Sequence, residues 1–193
     1  MNLYNFLILF SLCKLDPRLF PKSQSDWFRH TKNSALKVGP YVLTADEIDH
    51  AMLRAQMCVP KIPNLPHDSC PKFDKSDPRS RLVFKKKDKY INFALYFPTK
   101  YTHACKNVIR SCPPLRIYTP EKVMSQMREN AKLVVVRSAK LYPSKSYVLL
   151  PIMFQWYGPD FLTNGEREDL FYFLISYLPK DPAECLKQMV LSK

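Results

Sequence analysis

Glycine is scarce in this chain, three in 193 residues against seventeen prolines. That scarcity argues against glycine-rich phosphate loops and against a long all-β series of tight turns. It favours helices joined by stiff connections. No C-x-x-C pair occurs, whereas structural zinc sites usually show two such close pairs. The six cysteines, Cys13, Cys58, Cys70, Cys105, Cys112 and Cys185, form no recognised disulfide framework, so reduced thiols are expected. His67 with Cys70 and His103 with Cys105, near Cys58 and Cys112, are the zinc candidates; buried or loop thiols are the competing reading, and it is preferred. No metal and no cofactor are predicted.

Acidic residues are also in deficit, 17 against 30 Lys and Arg, for a net charge of +13. The excess is local. Between Lys72 and Lys89 stand eight basic residues and three acids, whereas Leu150 to Cys185 holds six acids and two basic residues. A basic stripe attracts nucleic acid or anionic lipid through its field; the plainer alternative is a solvated loop. No aromatic interrupts Lys85, Lys86 and Lys87, so a base-stacking platform is not indicated.

What is abundant is apolar surface: 46% of residues are hydrophobic and 13% aromatic. This composition implies a packed globule of one domain's length. The run from Phe6 to Cys13 lacks a preceding positive charge and a small-x-small cleavage site, so it does not read as a signal peptide. It is also far short of the ~20 residues that span a bilayer. Apolar on all sides, residues 2–14 are expected to form a central core helix. A core helix starting at residue 2 implies a domain shortened at its N-terminus.

Further along, Tyr41–Leu43 reads as a short strand, followed by a capping box at Thr44 and Glu47. The helix it opens puts Ile48, Ala51 and Met52 on one face and His50 off that stripe. Cys58 to Ser80, with five prolines, reads as a long loop. Tyr90–Tyr96 is expected as a buried strand, and residues 97–113 as irregular. Thr119-Pro120-Glu121 carries a helix-start signature, with Val123, Met127, Ala131 and Val134 at helical spacing behind it. A strand over Tyr147–Leu150, a short helix from Pro151 to Tyr157, and a last helix capped by Asn164 and ending before Pro179 complete the reading. The predicted fold is α+β: a single compact domain over residues 1–182, a small sheet packed by helices, with residues 183–193 as a C-terminal tail.

Seven blocks occur in order: Asn2–Asn5, Leu43–Arg54, Asp77-Pro-Arg79, Asn92–Leu95, Ser111–Thr119, Leu150-Pro151 and Trp156–Phe161. Together they resemble the uncharacterised family catalogued as domain of unknown function 547. The resemblance implies an appended, mostly intracellular domain, found behind glutaredoxin-like and DEP-type modules in animals and behind leucine-zipper segments in plants. It brings no established reaction. The family commonly has His-Phe-Ala-Leu where this chain has Asn92-Phe-Ala-Leu95, and a short Cys-containing turn where this chain has the longer Tyr96–Arg110 segment.

Two classes of function follow. One is a protein-interaction or scaffold module, cytoplasmic, with Lys85, Lys86, Lys87 and Asn92 as binding residues; a weak nucleic-acid or anionic-surface binder stands apart from both as a third reading. The other is a thiol hydrolase or acyl-transfer enzyme in which His50 activates Cys112 as nucleophile. The loss of the family imidazole at Asn92 favours the interaction module, with a protein as the expected partner and no transmembrane segment.

Overall fold

In a computed structural model of the chain, residues 1–55, 57, 70–96, 112–162 and 166–191 are described. Helix α1 (Asn2–Lys14) is followed by a 3₁₀ turn (Pro17–Leu19) and helix α2 (Gln24–Asn33). A hairpin of β1 (Ala35–Val38) and β2 (Tyr41–Thr44) leads into a π-helical segment, Glu47–Leu53. Two 3₁₀ turns follow, Pro78–Leu82 and Lys89–Phe93. Next come helix α3 (Val123–Ser138) and a second hairpin, β3 (Lys140–Tyr142) with β4 (Tyr147–Leu149). A short helix α4 (Ile152–Trp156), a 3₁₀ turn (Gly158–Phe161), α5 (Arg167–Ile175) and α6 (Lys180–Leu191) close the described chain. The fold is α+β, as expected, and its β-structure is two separate two-stranded antiparallel sheets.

Two apolar clusters organise these elements. The first gathers Tyr4, Leu7, Ile8 and Leu12 of α1 with Trp27, Leu43, Ile48, Ile91 and Leu95. The second gathers Phe93, Ala131, Val134, Val135, Met153, Phe154, Phe161, Phe173, Leu174 and Leu186. The turn at Lys89–Phe93 serves both. Asparagines fix it in place: Asn5 donates to the Ala94 carbonyl at 2.9 Å and accepts from Tyr96 N–H at 2.8 Å. Asn130, fully buried on α3, donates to the Phe93 carbonyl at 2.9 Å. Asn2 likewise clamps the backbone of Tyr118 through two 2.8 Å bonds.

Several expectations need correction. Helix α1 buries one side only: Phe6 and Phe10, stacked 5.5 Å apart, are 52% and 40% exposed. Tyr90–Tyr96 is no strand. Asp88 accepts from Tyr90 N–H at 2.9 Å and starts a 3₁₀ turn, which buries the same apolar residues by coiling. The Thr119 helix start is displaced to Val123, because Gln126 reaches back to cap Thr119 N–H and the Ile117 carbonyl instead. Region 183–191, read as tail, belongs to α6, which buries Ala183 and Leu186. The Asn164 cap, most of the 97–113 segment and the zinc candidates Cys58, His67, His103 and Cys105 lie outside the described residues.

Candidate functional site

The capping box at the end of β2 builds the site. Glu47 N–H donates to Thr44 Oγ1 at 3.0 Å, and Glu47 Oε2 accepts from Thr44 N–H at 2.9 Å. The chain then winds as a π-helix, closed by Arg54 N–H donating to the Asp49 carbonyl at 2.9 Å. Widened turns of this kind are rare and often sit at functional positions. Asp46, Asp49, His50 and Arg54 all become buried here. His50, expected off the apolar face, is therefore as buried as Ile48 and Ala51 are, within a few per cent.

A charge network fills the interior. His50 Nδ1 lies 2.8 Å from Asp46 Oδ1, and its Nε2 lies 3.8 Å from Asp49 Oδ2, too far for a hydrogen bond. Arg54 bonds Asp160 at 2.7 Å, donates to the Asn92 side-chain oxygen, and lies 4.0 Å over the Tyr157 ring. Asn92 completes the triangle, its Nδ2 donating to Asp160 Oδ2 at 2.9 Å. Asn92 is thus a buried strut between two charges, where the sequence reading had it as a binding residue.

The titration of these groups follows from burial. For His50, desolvation alone would lower the pKa, but Asp49 and then the Asp46 hydrogen bond outweigh it and hold it above the ordinary value. Burial raises Asp49 despite its cationic neighbours. Burial opposes the charge on Arg54, yet Tyr157, Asp160 and Asp49 more than restore it. Cys70, half-buried, is pushed up to about 11 by burial and by Asp46 and Asp49, which keeps it a thiol at neutral pH.

His50, Asp46, Asp49 and Asn92 open onto one small cavity of about 30 Å³, shared with Tyr4, Trp27, Phe28, Thr31, Trp156 and Tyr157. Cys112 is not among its lining residues. Its thiol, half-buried, donates to the Pro113 carbonyl at 3.5 Å. The buried Tyr4 hydroxyl senses both sides: burial, then Asp49, Tyr157, Asp46 and Cys112 raise its pKa well above the ordinary value. No cluster of three or more metal-ligating side chains occurs among the described residues.

The basic segment lies elsewhere. Arg79 is committed inward, to Glu47 and Asp77 at 2.8 Å each and over the Phe73 ring at 4.2 Å. Lys87 donates to the Pro159 carbonyl at 3.2 Å. Lys85 and Lys86 are exposed, and no carboxylate among the described residues pairs with them. Leu82 and Phe84 beside them are each 41% exposed.

Sequence reasoning missed Asp46, Asp49, Arg54, Tyr157 and Asp160. The Asp46, His50, Arg54 spacing of four and four was a signal that these three share a face. Nothing local pointed to Asp160.

A family model described as a protein of unknown function, DUF547, matches residues 1–133, and the chain belongs to that family. The blocks at Leu150-Pro151 and Trp156–Phe161, and with them Asp160 and Tyr157, lie beyond the matched residues. No curated protein and no solved structure matches the chain. No helix among the described residues is long and apolar enough to cross a membrane.

Proposed function

We propose that this domain is a protein-interaction module that docks an acidic, partly apolar segment of a partner on the Leu82–Lys87 surface. The observation that carries this reading is the exposed stretch itself: Leu82 and Phe84 set beside Lys85 and Lys86, whose charges no described carboxylate neutralises. The two apolar side chains give a partner surface to bury, and the adjoining charges steer an anionic partner and suppress wrong ones. The buried network supports the same reading from inside. Arg54, Asn92 and Asp160 pair with one another, and the cavity at His50 has no cysteine among its described lining residues. The thiol-enzyme alternative needs Cys112 at that imidazole. An appended domain, which the family resemblance implies, needs a docking surface more than a catalyst.

The test is titration of a fluorescent peptide alternating glutamate with leucine, followed by anisotropy, against an oligonucleotide of equal charge. The peptide is expected to bind, to weaken with added salt, and to lose at least tenfold in affinity with Lys85→Glu/Lys86→Glu. Loss of a further several-fold is expected with Phe84→Ser. Equal or tighter binding of the oligonucleotide, or peptide binding unchanged by both variants, overturns the reading.

A further inference from the structure

The charge count around His50 is unbalanced. Asp46, Asp49 and Asp160 have side chains only 6%, 10% and 1% exposed, and a single guanidinium, Arg54 at 2%, lies among them. Buried carboxylates require a positive partner or a proton. Arg54 pairs with Asp160 Oδ2 at 2.7 Å and reaches Asp49 only at 3.9 Å. On the other side, Asp46 fixes the imidazole by its Nδ1, so in the neutral ring Nε2 presents a lone pair.

Asp160 Oδ1 makes no hydrogen bond, and neither do two polar atoms of cavity-lining residues, His50 Nε2 and Asp49 Oδ1. His50 and Asp49 both line the about 30 Å³ cavity, and His50 Nε2 stands 3.8 Å from Asp49 Oδ2. That separation is too long for a direct bond and suits a single donor group lying between them. Five aromatic residues, Tyr4, Trp27, Phe28, Trp156 and Tyr157, share the wall with Thr31, Ala45, Asn92 and Leu95. Aromatic faces attract cations. At about 10–15 Å³ per water-sized group on this measure, the cavity has room for two such groups.

We propose that this cavity is a binding site for a small primary ammonium ion of methylammonium size. Its N–H groups donate to His50 Nε2 and the Asp49 carboxylate, and its methyl end rests against the aromatic wall. The site is separate from the basic docking surface and has the opposite charge preference.

Occupancy and protonation exclude each other, because a proton on Nε2 takes the same lone pair. The charged and titratable groups around the imidazole are Asp46, Asp49 and Arg54 of its own turn. Beyond these, Tyr4, Cys70, Tyr157 and Asp160 couple to Asp46, Asp49 or Arg54, and the Met1 amine couples to Asp49. Of these, the Met1 amine, lowered from its ordinary 8.0 by burial, also titrates near neutral pH, but only the His50 ring is both a lining group of the cavity and a titrating base there. Ammonium affinity should therefore weaken tenfold for each pH unit below the His50 pKa.

The experiment uses the whole chain and compares methylammonium, tetramethylammonium and potassium chlorides at equal ionic strength. Both tryptophans of the chain line the cavity, so their fluorescence reports occupancy, while NMR of the imidazole follows its titration. Methylammonium alone should give a saturable fluorescence change and lower the His50 pKa; tetramethylammonium, with no N–H, should do neither. Asp49→Asn should abolish the effect. If that variant does not fold, the wild-type titration decides alone. Identical His50 titration in methylammonium and potassium chloride means that the cavity holds water only, and overturns the proposal, as would equal binding of tetramethylammonium.

Discussion

Asn92 and Phe93 are neighbours in sequence and enter opposite kinds of interior. Asn92 joins Arg54 and Asp160 in a network of charges, while Phe93 packs among rings. Its centroid lies 5.8 Å from Phe173, nearly parallel, and 5.9 Å from Phe161, edge-on. The aromatic region is held by many small contacts, each worth little, so damage to it is graded by volume. The charged region is held by few strong ones, so removing one member leaves another buried and uncompensated. One 3₁₀ turn couples the two, and asparagines on α1 and α3 fix its carbonyls.

The sharpest break comes from single truncations on each side. Arg54→Ala should cost about 3–5 kcal/mol in urea unfolding, by stranding Asp160 and Asp49. Phe93→Ala should cost a similar ~3–5 kcal/mol by opening a cavity. The two separate on repair: Phe93→Leu should recover much of the loss, whereas Arg54→Met should recover little while Asp160 remains. Next in size is Asn92→Ala, expected to cost about 1–3 kcal/mol, because it leaves Arg54 and Asp160 each short of a bond. Asn92→His should not recover this, since the triangle uses both the oxygen and the amide N–H of the asparagine.

Smaller again is Thr44→Ala, at about 1 kcal/mol for one cap. The subtlest effect is on pH. His50 has a folded pKa above its ordinary 6.5, so its contribution is complete below that value and is lost as pH rises through the folded pKa. Urea midpoints should fall with pH across that window in the wild type. The same decline should be absent in His50→Gln, and it should persist in Phe93→Leu, because the aromatic cluster holds no titrating group with a stake in this range.

How far this comparison could be read from sequence depends on the range of the interactions involved. The Thr44–Glu47 box, α1, β2, the buried stripe of α3 and the short α4 are set by neighbours within a few residues, and they were legible. Helix α2 was missed although Ser23 and Asp26 form a capping box, because its polar composition hides the pattern. The Tyr90–Tyr96 turn was misread because a short apolar run is ambiguous between coil types. Helix α6 was obscured by Pro179 and Pro182, the latter at a first-turn position where proline does no harm. The ion pair of Arg54 with Asp160 spans more than a hundred residues, and only folding brings it together. Lys85 and Lys86 were legible as a surface because charge needs no partner to be read.

The account rests most on the state of one imidazole, held by Asp46 through Nδ1 with Asp49 beside Nε2. An NMR titration of the His50 ring in the wild-type chain, without added amine, tests this directly. The account predicts titration above 6.5 with the proton retained on Nδ1 in the neutral form. Titration at or below 6.5, or a neutral ring protonated on Nε2, would contradict it.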